Sequence, residues 1–280
     1  MRLFRAALWL SLLVAAALLA GVAPPRAVAG ELVSFPSDAH GSGPTKLLGY
    51  MTHPAGEGPF PAVVVLHGCG GLGSTTINWA DRLSVWGYVA LAVDTYGSRG
   101  IHIRCRDTGR SAFIDQPLDA GNAHDFLARQ KFVDAQRIAV LGTSMGGTAV
   151  LNLASPDDLF ARLHPGQFRA AIALYPSCNG FSGIMTMPTL VLIGDRDDWT
   201  PAQRCREMKN GTDVIGETRG LGDRSMVDLV VYRGAYHSFD TALLPQGVLY
   251  HGHWLQFNQA ATERALVDVR AFLKAKLAGN

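Results

Sequence analysis

The sequence predicts an α/β protein built on a mostly parallel central sheet with helices on both faces. Short apolar runs alternate with helical patterns along most of its length. The clearest runs are continuously apolar, as in strands buried on both faces of a parallel sheet. Alternation of this kind implies βαβ units joined by right-handed crossovers.

Ala62 to His67 (AVVVLH) opens the series as a strand. Trp79 to Trp86 follows as a helix that Gly87 stops, and Tyr88 to Asp94 (YVALAVD) is the next strand. Gly97 to Pro117 is Arg-rich and aperiodic, which predicts a long loop. Leu118 to Lys131 has helical spacing. Arg137 to Leu141 (RIAVL) is a strand that leads at once into a helix over Met145 to Ala154. Arg169 to Leu174, Thr189 to Ile193 and Val227 to Tyr232 are further strands. Glu217 to Ser225 reads as a polar loop and Ala260 to Leu277 as a long terminal helix.

The N-terminus carries Arg2 and Arg5, an apolar stretch from Ala6 to Ala20, and Ala27-Val28-Ala29 before Gly30. That order is the signature of a secretory signal peptide, and the apolar stretch is shorter than the ~20 residues needed to span a bilayer. The expected organisation is a leader over 1–29 and a single domain over 30–280, in a periplasmic or secreted protein. About 250 residues can bury a full core without staples.

Loss of the leader takes Arg2, Arg5 and Arg26 from the 25 basic residues and none of the 23 acidic ones. A surface so close to neutral argues against nucleic acid and against polybasic attachment to membranes. The sequence leaves the oligomeric state undefined.

In open α/β sheets ligands gather beyond the carboxyl ends of the strands, so the residues that follow each strand carry the functional information. After RIAVL comes Gly142-Thr143-Ser144-Met145-Gly146-Gly147. This is G-x-S-x-G between a strand and a helix, a nucleophile elbow, which lifts a serine hydroxyl above the sheet. The bare pattern arises by chance; the strand before it and the helix after it give it weight. Side chains at 142 and 146 would collide with neighbouring backbone, and the helix N-terminus offers N–H groups to a developing negative charge.

After Ile193 comes Gly194-Asp195-Arg196-Asp197-Asp198, ahead of Trp199-Thr200-Pro201. Any of three carboxylates can orient a histidine. Asp197 is favoured, because Asp198 can cap the helix that Pro201 opens and Asp195 can be solvated. After Tyr232 comes a loop with His237, in the chain order Ser, Asp, His. His251 and His253 lie in a loop-like stretch without Cys, Asp or Glu beside them, so no metal site is expected. After AVVVLH the glycine-rich turn Gly68-Cys69-Gly70-Gly71 can supply a second oxyanion donor from the main chain of Cys69, beside that of Met145. No Lys-Ser/Thr pair follows these glycines, so a phosphate-binding loop is disfavoured.

The segments LHGCGGL, VALAVD with the Tyr96 and Arg99 loop, RIAVLGTSMGG, GDRDDWTP and YHSFD together resemble the dienelactone hydrolase family of α/β-hydrolases. The likeness runs from about Ala62 to Asp240, and the terminal helix fits it. It implies the α/β-hydrolase fold, hydrolysis of a small ester or lactone without a cofactor, and a catalytic set of Ser144, Asp197 and His237. It also suggests Tyr96 and Arg99 as substrate-binding residues.

Two departures stand out. Founding members carry cysteine where this chain has Ser144. They also hold a substrate carboxylate with arginines, one just beyond the catalytic histidine, where this chain reads Ser238-Phe239-Asp240-Thr241. The elbow is also locally similar to that of secreted polyester hydrolases. A peptidase or amidase using the same residues is the rival enzyme, and a binding protein on the same fold the rival outside catalysis. In the α/β-hydrolase fold, the strands before Cys69 and Cys105 are neighbours, as are those before Cys178 and Cys205. Secretion then implies the bridges Cys69–Cys105 and Cys178–Cys205.

Overall fold

The computed structural model describes residues 29–37, 45–103, 105, 111–158, 161–162, 166–212 and 222–279. The expected leader lies outside them, apart from Ala29, as do most of the polar loop over 217–225 and several residues of the Arg-rich segment. The strands are β1 (Glu31–Ser37), β2 (Thr45–Thr52), β3 (Phe60–Leu66), β4 (Val89–Asp94), β5 (Val133–Thr143), β6 (Ala170–Leu174), β7 (Thr189–Gly194), β8 (Val227–Tyr232), β9 (Val248–Tyr250) and β10 (His253–Leu255). The helices are α1 (Ser74–Val85), α2 (Ser111–Ala128), α3 (Met145–Ala154), α4 (Ala202–Asn210) and α5 (Gln259–Lys276).

Eight strands form one sheet in the order β1-β2-β4-β3-β5-β6-β7-β8. From β4 to β8 every pairing is parallel. β2 runs antiparallel to both β1 and β4, and β1 forms the far edge. Right-handed crossovers place connections that step in opposite directions along the sheet on opposite faces. Accordingly α1 and α5 share one face, where Arg270 of α5 lies over the Trp86 ring at 5.9 Å. α2 packs beside α3 on the other. The strands between them are fully enclosed. Val63 through Leu66, Leu91, Val140, Ile172 and Leu192 are all buried, which is why they read as unbroken apolar runs.

The registers align the strand ends. Leu66 faces Val93 on one side and Gly142 on the other, Thr143 faces Leu174, and Gly194 faces Tyr232. The turns after β3, β5, β6, β7 and β8 therefore emerge along one edge.

Several elements depart from the sequence expectation. β1 and β2 precede the first predicted strand; β1 buries only Phe35 and Ser37, so it lacks a sustained apolar pattern. The predicted 97–117 loop is shorter than expected. Gly97–Arg99 forms a 3₁₀ turn, and α2 begins at Ser111 and carries Pro117 inside it. A proline there removes one helical hydrogen bond and mimics a boundary in the sequence. His253 sits in a hairpin strand, β10, paired with β9, and not in a loop.

All four cysteines are paired, as Cys69–Cys105 and Cys178–Cys205, with Cα atoms 4.8 and 5.0 Å apart. The second bridge ties the segment after β6 to α4, alongside the β6–β7 pairing. Replacing both Cys178 and Cys205 by alanine is expected to lower the unfolding free energy by about 2–4 kcal/mol, because the unfolded chain regains loop freedom. Guanidinium titration of parent and variant checks this; coincident midpoints would show that the bridge contributes nothing.

Candidate active site

The elbow is a backbone contact before it is a site. A Cβ at Gly146 would stand 2.5 Å from the Leu66 carbonyl oxygen and 2.6 Å from that of His67. One at Gly142 would stand 2.2 Å from the Gly146 carbonyl oxygen. With both positions bare, α3 starts directly against the end of β3. The turn between β5 and α3 holds Ser144 at φ 53° and ψ −115°, a conformation that costs a non-glycine residue about 1–3 kcal/mol. The Ser144 N–H donates to the Leu174 carbonyl at 2.9 Å, which anchors the turn to β6.

The turn after β7 carries the three carboxylates to different ends. Asp195 is exposed and accepts from the Gly234 N–H at 2.6 Å. Asp198 is exposed, accepts from the Trp254 N–H at 3.2 Å and lies 3.6 Å from His253 Nδ1. It therefore ties the hairpin to this turn and does not cap α4, whose N-cap position is taken by Pro201. Asp197 alone is buried. Its Oδ1 accepts from the N–H groups of Trp199 and Thr200 at 3.0 and 2.8 Å. Its Oδ2 accepts from the Thr200 hydroxyl at 2.9 Å and lies 2.8 Å from His237 Nδ1. The other ring nitrogen, Nε2, lies 2.9 Å from Ser144 Oγ. The structure thus joins Ser144, His237 and Asp197 in one hydrogen-bonded row across the ends of β5, β7 and β8. With Nδ1–H donating to the carboxylate, Nε2 is left as an acceptor for the serine proton.

Aromatic rings fix the imidazole from two sides. Tyr175 meets it edge to face at 4.8 Å, and Trp199 lies against it at 5.2 Å. Trp199 in turn stacks on His253 at 4.9 Å and 14°. Main-chain bonds from Gln256 to the His237 carbonyl and from Asn258 to the Phe239 carbonyl secure the loop to the segment leaving β10. The sequence reading missed Tyr175, Trp199 and Thr200. Their signal was position alone: each follows a strand end on the catalytic edge.

A cleft of about 380 Å³ opens over Ser144 and His237. The Gly68–Gly71 turn and the start of α1 form one wall; Trp199, Tyr250 and Leu255 form part of the other. Cys69 borders it, while Met145 opens α3, so its N–H has no partner within the helix. No Lys or Arg stands among the described residues that line the cleft. Tyr96 and Arg99 lie behind that lining. Arg99 grips buried Asp119 through two hydrogen bonds of 2.8 Å. Tyr96 is buried, and its hydroxyl donates to Met145 Sδ at 2.7 Å. Tyr96 thereby packs against the residue that opens α3, and neither side chain is among the described residues that line the cleft. Behind the same turn, burial pushes the proton affinity of the His67 imidazole down.

The family model that matches this chain is that of the dienelactone hydrolase family, over residues 47–277. The chain belongs to the dienelactone hydrolase family. Among curated proteins it is 28% identical over 156 residues to Cutinase est1 of Thermobifida alba, covering 55% of this chain and 48% of that one. It is 28% identical over 148 residues to Lipase 1 of a Moraxella species, covering 53% and 42%. A Bradyrhizobium protein named as a probable 2-oxo-3-(5-oxofuran-2-ylidene)propanoate lactonase is 25% identical over 209 residues, with 69% and 78% covered. The chain thus spans about half the length of the cutinase and the lipase. Among solved structures, a dienelactone hydrolase-like promiscuous phosphotriesterase from metagenomic libraries superposes with a TM-score of 0.62 at 20% identity, over 90% of this chain and all of that one. These structures share the α/β-hydrolase fold.

Gly146→Ala is expected to destabilise the protein by about 3 kcal/mol or more, because the new methyl group meets two carbonyl oxygens that cannot both retreat. A thermal melt followed by circular dichroism checks it. A melting temperature equal to the parent's would show that the β3–α3 approach is not tight.

Proposed function

We propose that this protein is a serine hydrolase that cleaves carboxylic ester or lactone bonds through an acyl-enzyme on Ser144. The observation that carries the reading is the unbroken row from Ser144 Oγ to His237 Nε2 at 2.9 Å and from His237 Nδ1 to Asp197 Oδ2 at 2.8 Å. Membership of the dienelactone hydrolase family and the names of the similar proteins support it.

In this reading His237 takes the Ser144 proton as Oγ attacks the substrate carbonyl carbon. Asp197 holds the ring in the tautomer that leaves Nε2 free and stabilises the imidazolium that forms. The main-chain N–H groups of Cys69 and Met145 receive the carbonyl oxygen as it becomes negative. His237 then gives its proton to the leaving oxygen, which departs as an alcohol, or stays tethered in a lactone. Water, deprotonated by the same imidazole, attacks the acyl carbon, releases the acid and returns the proton to Ser144. The chain's own residues and one water supply every proton and donor in this scheme.

The apolar and aromatic wall of Trp199, Tyr250 and Leu255, with no described cation beside it, favours neutral acyl groups over the carboxylate-bearing lactones suggested by the founding members' arginines. Residues 30–280 act as one catalytic domain, and the leader directs it to the periplasm or beyond. The two disulfides support an oxidising location. No helix among the described residues is long and apolar enough to cross a membrane.

Ser144→Ala is expected to abolish labelling by a fluorophosphonate probe and to reduce nitrophenyl ester turnover by several orders of magnitude. Turnover above a few per cent of the parent's would remove Ser144 from the role. Asp197→Asn is expected to cost about 10⁴-fold in kcat, the scale of the corresponding change in serine proteases. Asp195→Asn and Asp198→Asn should stay within about tenfold of the parent; equal losses at all three would undo the assignment. Parallel assay of an anilide separates an esterase from a peptidase, which would cleave both.

A further inference from the structure

Asp240, three residues beyond His237, has no part in the scheme above. Its two carboxylate oxygens are nonetheless both taken. The Trp79 indole N–H of α1 donates to Oδ2 at 2.7 Å, and the Tyr175 hydroxyl donates to Oδ1 at 2.8 Å. An indole nitrogen only donates, so Oδ2 must act as an acceptor. Tyr175 directly follows Leu174, whose carbonyl accepts from the N–H of Ser144 at 2.9 Å. The Tyr175 carbonyl oxygen accepts from the Thr200 hydroxyl of the acid turn at 3.1 Å, and its backbone is held at φ 38°. Its ring rests against the His237 imidazole. One residue thus touches the neighbours of all three members of the row, and Asp240 holds its far end.

Resting on the serine hydrolase reading, we propose that Asp240 is a second carboxylate of the site. It is a positioning residue that locks Tyr175 and the His237 loop to α1, and it adds negative charge beside the imidazolium formed during catalysis. The geometry agrees with this assignment. Burial raises the Asp240 carboxyl above the usual carboxylate range; its two donors and the positive charge His237 can carry offset part of that rise. Burial, followed by the Asp240 charge, holds the Tyr175 hydroxyl protonated, so it stays a donor.

The other titratable groups nearby are few. Asp81 and Arg82 of α1 line the same cavity of about 520 Å³ as Asp240, with opposite charges. α5 contributes only Thr262 and Leu266 there. Asp197 acts on Tyr175 from the acid turn.

Asp240→Asn tests the charge separately from the shape, because an amide can still accept from Trp79 and donate to Tyr175. An imidazolium beside an anion holds its proton to higher pH, so removing the anion lets that proton go at lower pH. With imidazole nitrogens labelled, the NMR titration midpoint of His237 is expected to fall by about half to one pH unit in Asp240→Asn. The acid limb of the ester pH–rate profile should move with it. At neutral pH kcat should fall about tenfold while KM stays at the parent value, since Asp240 does not line the cleft. Tyr175→Phe keeps the ring against His237 but removes one donor; it should move the midpoint in the same direction by less, and it serves if Asp240→Asn does not fold.

The NMR measurement needs no turnover. A parent that cleaves no ester but whose His237 midpoint moves on substitution would sink the hydrolase reading and keep the coupling. Midpoints identical to the parent's in both variants would overturn the proposal, whatever the activity.

Discussion

The site depends on the close approach of two backbones. α3 can begin beside the end of β3 only because position 146 has no side chain, and the β5–α3 turn closes only because position 142 has none. That approach holds Ser144 in the left-handed region and points the α3 N-terminus at the space above it. It also brings the Gly68–Gly71 turn, which continues β3, against the same space. Sheet register does the rest. Aligned strand ends deliver the acid turn two strands away and the histidine loop three strands away to one edge, so three residues separated by tens of positions meet within hydrogen-bond distance.

Much of this was legible in the sequence because the responsible physics is local or periodic. Strands enclosed on both faces leave apolar runs, and β3 through β7 were found that way. The nucleophile turn writes its steric need as glycines at fixed spacing. The choice among Asp195, Asp197 and Asp198 was harder, since all three have the same charge within four residues. Burial separates them, and burial depends on where the His237 loop folds back. What stayed hidden was set by tertiary contact. β1 and β2 are an edge with little buried surface, and the β9–β10 hairpin is too short to show a period. The partner of Arg99 was equally hidden: Asp119, twenty residues on and fully buried, pairs with its guanidinium.

The histidine is held more firmly than a three-residue description conveys. Tyr175 and Trp199 bracket its ring, Thr200 and two N–H groups fix the carboxylate behind it, and the segment after β10 bonds its backbone. Such packing removes the freedom of the imidazole to rotate away, so its orientation is set before substrate arrives. Tyr175 and Trp199 also line the cleft. Changes made there will therefore disturb the imidazole as well, through Trp199 above all.

The two disulfides enclose different parts of this arrangement. One ring, closed at Cys69 and Cys105, contains α1 and β4; the other, closed at Cys178 and Cys205, contains β7 and the whole acid turn with Asp197. A protease that cut the backbone once inside either ring would sever a peptide bond without releasing a fragment. The two new chain ends would stay cross-linked, and the strands on either side of the cut would still be paired in the sheet. A nicked molecule could therefore keep its carboxylate beside its histidine, and would separate into pieces only once its bridges were reduced.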